Sequence, residues 1–222
     1  MPKGLLVLLL LFSFNAAHSQ VLEPGYLEVK TTAEDDSIDG DTFVIKWTGT
    51  IEAPITKDIE TAILKFSAHK KNAILDISSP GGSVTEGAHL IEILRQFKKN
   101  HKLSSIVQRG GMCASMCVPI FLQGDHRVAA RASTWMFHGA RKWYTTIPDD
   151  QETDKNLIYF REAGVSEAWL QSILPYMRQP GEYWQTGGEL FDSKSGLFDK
   201  ALENHRQLEA KTLPINPGFG PR

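Results

Sequence analysis

Ser115 lies in the run Gly110-Gly111-Met112-Cys113-Ala114-Ser115-Met116-Cys117, one hydroxyl among small side chains. The residues before it, Leu103 to Gln108, are apolar and β-branched enough for a short buried strand, and Val118-Pro119-Ile120-Phe121-Leu122 after it reads as a buried helix. A serine at such a strand-to-helix turn meets the unpaired N–H groups of the helix start. Pro119 fits this placement, because proline is tolerated only in a helix that has barely begun. A hydroxyl there is a weak nucleophile until a base removes its proton. Two further apolar runs end in residues that could complete the chemistry. Ala73-Ile74-Leu75-Asp76-Ile77 runs into Ser78-Ser79-Pro80-Gly81-Gly82-Ser83, and Ser133-Thr134-Trp135-Met136-Phe137 delivers His138. A serine, an imidazole and a bare glycine turn are the parts of an acyl-transfer site. The N–H groups of Gly82 and Met116 are the natural donors to the oxyanion of a tetrahedral intermediate, each such donor being worth about 10²–10³ in rate.

These residues need a scaffold that brings three strand ends together, and the sequence reads as a single α/β domain. Ala73–Ile77 is a near-continuous apolar run, typical of a parallel strand covered on both faces. Phe43–Trp47 is strand-like, and Lys57–His69 carries Ile59, Ala62, Ile63 and Phe66 at helical spacing. Ser83 with Glu86 predicts a capping box for a helix burying Val84, Ala88, Ile91 and Leu94. A loop runs through Gly124-Asp125-His126-Arg127, and Ala140 to Asp150 reads as a polar surface excursion. Helices are expected over Thr153–Ala163 and Ser166–Leu174, a third is capped by Thr186 and Glu189, and Gly196–Asp199 reads as a final strand. In open α/β sheets ligands bind beyond the carboxyl ends of the strands, where Gly82, Ser115 and His138 would converge.

The chain has 222 residues, 41% hydrophobic and 23% charged, within the range of ordinary globular proteins. Its formal charge of −2 and the lack of a basic stripe give no reason to expect nucleic acid as a partner. Lys3, the apolar run Leu5–Phe12 and the small residues Ala17 and Ser19 predict a signal peptide over 1–19, and hence a periplasmic or secreted protein. The apolar run is too short for a comfortable span, so no stable membrane span is expected after cleavage. Residues 20–41 read as an irregular leader, 42–210 as the α/β domain and 211–222 as a disordered tail. Asp35 to Asp41 alternates acidic side chains, but the twelfth position that a calcium loop needs is Lys46, so no such site is expected. The other histidines, among them His69, His89, His101, His126 and His205, show no metal-ligand spacing, and no metal or cofactor is called for. Export allows disulfides. The only two cysteines, Cys113 and Cys117, are four apart, a poor disulfide spacing on a regular helix. The expectation is two buried thiols packing the serine turn, with a disulfide across the turn as the alternative.

Ser79-Pro80-Gly81-Gly82-Ser83, Cys113-Ala114-Ser115-Met116 and Met136-Phe137-His138 occur in the order and at the separations found in the proteolytic subunit of Clp-type peptidases. The chain resembles a secreted relative within the Clp protease/crotonase superfamily over roughly Phe43 to Lys200. The resemblance implies a spiral of ββα units, Ser115 as nucleophile, His138 as general base and acid, and Gly82 with Met116 as oxyanion donors. It further implies a peptide or protein substrate and assembly of like subunits into rings, a homo-oligomer whose formation here the extra loop Arg141–Asp150 leaves open. The Clp-type triad ends in an aspartate, but here Arg178 falls near that position. Glu182 is the best remaining candidate to orient His138, ahead of Asp149, Asp150 and Asp192. The reading is therefore an ATP-independent serine peptidase working through an acyl-enzyme. Its alternatives are a silent envelope interaction protein, a Ser-Lys enzyme resembling signal-peptide peptidases with Lys155 as base, and a crotonase-type acyl-CoA enzyme, which export disfavours.

Overall fold

The computed structural model describes residues 26–30, 38–142 and 144–202. The predicted signal segment and tail, and the parts of the leader other than 26–30 and 38–41, lie outside the described residues.

Each long apolar run becomes a strand, and each is followed by a shorter extended piece and a helix. The first unit is β2 (Thr42–Thr48), an isolated bridge at Ile51, and α1 (Ile55–Ser67); β1 (Tyr26–Lys30) precedes it as an antiparallel edge. The second is β3 (Asn72–Ser78), a bridge at Gly82, and α2 (Val84–Lys98). The third is β4 (Lys102–Val107), β5 (Met112–Ala114) and α3 (Cys117–Phe121). The fourth is β6 (His126–Ala130), β7 (Thr134–Phe137) and α4 (Asp150–Glu162). Then come α5 (Glu167–Met177), β8 (Tyr183–Thr186), α6 (Gly187–Asp192) and β9 (Lys200–Leu202).

The first strand of each unit joins a six-stranded sheet of order β1-β2-β3-β4-β6-β9, parallel from β2 onward. The second pieces stack into a separate ladder. Ile51 bridges Gly82, Ser79 bridges Cys113, and β5 pairs in parallel with β7, which pairs antiparallel with β8. This is the expected spiral of ββα units. The interior lies between the sheets and the helices, with Phe43, Trp47, Phe121, Trp135 and Phe137 fully enclosed. Trp135 meets Phe121 edge to face at 5.0 Å and donates its indole N–H to Ser133 Oγ at 2.8 Å, so its one polar atom is satisfied.

Four local expectations need correction. Tyr26–Lys30 is a strand within the stretch read as an irregular leader, paired along Thr48–Val44 of β2. His126 and Arg127, read as the end of a loop, open an interior strand, His126–Ala130, whose apolar part is only Val128–Ala130. The final strand begins at Lys200, whereas Leu197 and Phe198 are buried without joining a sheet. The capping box at Ser83 is half formed. Ser83 Oγ accepts from the Glu86 N–H at 3.2 Å, while the Glu86 carboxylate instead accepts the hydroxyl of Thr56 on α1. At Thr186 and Glu189 both halves are present. Among the described residues no helix is long and apolar enough to cross a membrane.

Candidate active site

The serine turn is fixed by its neighbours. Ser115 adopts φ 54°, a left-handed conformation that costs a non-glycine residue about 1–3 kcal/mol and persists only where the surroundings enforce it. Its N–H donates to Met136 O on β7 at 2.9 Å, and its carbonyl accepts the Val118 N–H at 3.0 Å as α3 begins. Cys113 and Cys117 are joined in a disulfide, which corrects the expectation of two free thiols. Their spacing is poor for a bridge only if both lie on one helix. Cys113 is on β5 and Cys117 opens α3, and the reversal at Ser115 brings their Cα atoms to 5.2 Å. The bridge encloses Ala114, Ser115 and Met116.

The glycine turn packs directly on this elbow. Ser79 donates its N–H to Met112 O at 2.7 Å and accepts from the Ala114 N–H at 3.0 Å. Gly81, at φ +94°, leaves no room for a side chain: a Cβ there would lie 2.7 Å from Ser115 Cβ, 2.8 Å from Ala114 O and 3.3 Å from Met116 N. Gly82, at φ +150°, faces Ile51, whose carbonyl oxygen a Cβ would meet at 2.5 Å. Among the described residues neither the Gly82 N–H nor the Met116 N–H donates to a backbone carbonyl, and both residues line the cleft that contains Ser115.

His138 follows β7 and lines the same cleft, a space of about 90 Å³. Its Nδ1 lies 2.6 Å from Gly139 O. A carbonyl oxygen can only accept, so Nδ1 carries the proton of the neutral ring and Nε2 keeps its lone pair. Burial pushes the His138 pKa below the ordinary histidine value; the Gly139 carbonyl opposes that shift, the Arg141 charge adds to it and Glu182 opposes it. Ser115 and His138 are not hydrogen-bonded to each other in this state, and unliganded catalytic pairs are often looser than reacting ones.

None of the acids considered as a third member touches the ring. Glu182 accepts from Trp184 Nε1 at 3.1 Å and stands 3.9 Å from Arg141 Nη2. Asp149 caps α4, Asp192 is clasped by Arg131, and Asp150 lies 3.9 Å from Arg178 Nε. Arg178 itself donates to Asp154 at 2.9 Å. The group against Nδ1 is a backbone carbonyl, which residue types alone could not reveal. Lys155 is paired with Glu152 at 2.6 Å on an exposed face of α4 and does not line the cleft. Its neighbour Asn156 does, as do Arg141, Phe160 and Met177. The stretch from Ala140 read as a surface excursion thus begins inside the cleft: Ala140 donates its N–H to Thr153 Oγ1 at 3.0 Å and accepts from Asp149 N–H at 2.7 Å. Among the described residues no cluster of three or more potential metal ligands occurs.

A sequence model of the Clp protease family matches residues 40–168. No curated protein matches the chain. Among solved structures, a point mutant of ClpP1 from Listeria monocytogenes is 18% identical with a TM-score of 0.53, the match covering 77% of this chain and 94% of that one. The ClpP protease catalytic domain from Plasmodium falciparum is 19% identical with a TM-score of 0.57, covering 72% of this chain and 84% of that one. At such identities the structures speak for the fold, and the family match adds the sequence that carries the glycine turn, Ser115 and His138. On a match spanning more than half of its length, the chain belongs to the Clp protease family.

Proposed function

We propose that the protein is an exported, ATP-independent serine peptidase that cleaves peptide bonds through an acyl-enzyme. The observation that carries this reading is the cleft itself, where an elbow-held serine, a histidine with its Nε2 lone pair uncommitted and two undonated backbone N–H groups line one space. Substrate binding would draw the loose pair together. As Ser115 Oγ attacks the scissile carbonyl carbon, His138 Nε2 takes the hydroxyl proton, and the negative oxygen is held by the N–H groups of Gly82 and Met116. His138 then passes that proton to the leaving amine nitrogen as the C–N bond breaks, leaving an ester on Ser115. Water attacks that ester, giving its proton to Nε2, and Ser115 is released with the proton returned to it.

Two features support export. The apolar run Leu5–Phe12 follows Lys3, and the only two cysteines are paired with each other, as suits an oxidising compartment. A second reading, a silent envelope interaction protein, draws on a specific observation: among the described residues no carboxylate bonds to His138. A fluorophosphonate probe separates the two. It is expected to label the mature protein, with labelling abolished in Ser115→Ala. Folded wild-type protein that stays unlabelled across pH 6–9 overturns the peptidase reading and favours the silent one.

A further inference from the structure

We propose that the Ser115 cleft selects substrates carrying a carboxylate beside the scissile bond, and that Arg141 is the residue that reads it. The inference rests on the peptidase reading and adds the substrate class. Among the described residues no acid lines the cleft, and Arg141 supplies its only fixed charge, among walls built largely from Val84, Met116, Pro119, Phe160 and Met177. Among the described residues the guanidinium makes no hydrogen bond to a side chain and one long ion pair. Its counter-charge, Glu182, stands 3.9 Å away with both side chains partly exposed, and Glu182 also holds the Trp184 indole. An ion pair so long and so wet is weak. A guanidinium presents a planar fork of donors that suits a carboxylate bidentately. Asn156, on the adjoining turn of α4, lines the same space, and its carboxamide makes no hydrogen bond among the described residues. It offers a further donor.

The cleft, about 90 Å³ and open to solvent, has room for a carboxylate on a short stem. A lysine or arginine side chain of the substrate would meet Arg141 as a like charge with no acid in the cleft to relieve it, so the same feature excludes basic residues. A carboxylate can come from an acidic side chain or from a free chain terminus, and the chemistry of the cleft is the same for both.

The test measures binding, so that it does not depend on turnover. Tripeptides carrying a neutral coumarin tag at the N-terminus are titrated into the otherwise intact Ser115→Ala protein in two matched arms: Ala-Ala-Glu-amide against Ala-Ala-Gln-amide, and Ala-Ala-Ala with a free carboxylate against its amide. The expected result is at least tenfold tighter binding of the acid in one arm, which identifies its source. Arg141→Gln in the same background should bring that ratio near one, Arg141→Lys should restore part of it, and Arg141→Glu should invert it toward a lysine peptide. Ratios within threefold in both arms, or a preference that survives Arg141→Gln, overturn the inference. Fluorophosphonate labelling of the wild type reports on Ser115 alone, because the probe has no carboxylate, so the two readings fail separately.

Discussion

The two walls of the cleft are built by different means. On the nucleophile side everything that fixes geometry is backbone or covalent: the Ser79 bridge to β5, the Ser115 bond to Met136, the disulfide, and a glycine turn pressed against the elbow. On the base side the backbone is held in β7 as far as Phe137, paired with Tyr183, and is tied again at Ala140, while the His138 ring between them is held by a single contact, the carbonyl of the next residue. The nearby charges, Arg141 in the cleft wall and the half-exposed Glu182, form only a long ion pair with each other. On the proposed mechanism, the contrast implies that the oxyanion donors are in place before substrate arrives, whereas the His138 ring has room to be drawn in. Preorganised dipoles contribute most where they need not move during the reaction, so the rigid wall is the one that should tolerate least change.

The largest effect is therefore expected at Gly81. A methyl group there would fall within 2.8 Å of Ser115 Cβ and Ala114 O, on a residue whose φ of +94° already disfavours a side chain. Gly81→Ala should cost about 3 kcal/mol in chemical denaturation and slow fluorophosphonate labelling by more than about 10². Wild-type labelling by a stably folded Gly81→Ala protein would show that the glycine turn is not part of the oxyanion wall.

The disulfide comes next. It closes a loop too short to gain much loop entropy, about 2 kcal/mol in the chain-entropy picture, but that loop contains the proposed nucleophile, Ser115, and one proposed oxyanion donor, Met116. The Cys113→Ala/Cys117→Ala double variant should lose about that much stability, while labelling falls by tenfold to about a hundredfold. The disproportion between the two effects is the informative quantity. Equal, small losses would mean that the backbone bonds of Ser115 hold the elbow unaided.

The same contrast explains what could be read from residue types. The nucleophile wall was legible because its requirements are local: Gly81 and Gly82, a serine among small residues, and a proline just beyond it each permit few backbone conformations. The alternation of long apolar runs with helical spacing was legible too, and it gave the ββα spiral its main strands. What was missed depends on partners distant in sequence. β6 and β8 are short and acquire their extended form from the strands they pair with. The Cys113–Cys117 bond needed the reversal at Ser115, which a four-residue spacing does not announce. Arg141 and Asn156 reach the cleft only because Ala140 is pinned to the start of α4, a contact between residues 140, 149 and 153 that no pattern along the chain encodes.

The smallest effect is expected at Glu182, and it sharpens the comparison most. If this carboxylate were the third member of a triad, its removal should cost about 10⁴ in rate, as loss of the orienting acid does in serine proteases of the usual design. Here the proton on Nδ1 is already held by Gly139 O at 2.6 Å, which fixes the tautomer with Nε2 facing outward. Glu182→Gln should thus change labelling by less than tenfold at pH 8. Its signature should lie in the pH dependence. The wild-type rate is expected to rise with pH through an inflection below about 6.5, because burial lowers the His138 pKa and keeps the ring neutral in more acidic solution. Glu182 opposes that shift, so its neutralisation should move the inflection to lower pH, and Arg141→Gln should move it up. A thousandfold loss in Glu182→Gln at pH 8 would mean that the carboxylate replaces Gly139 O at the ring once substrate is bound, and that the base wall, open at rest, closes into a conventional triad.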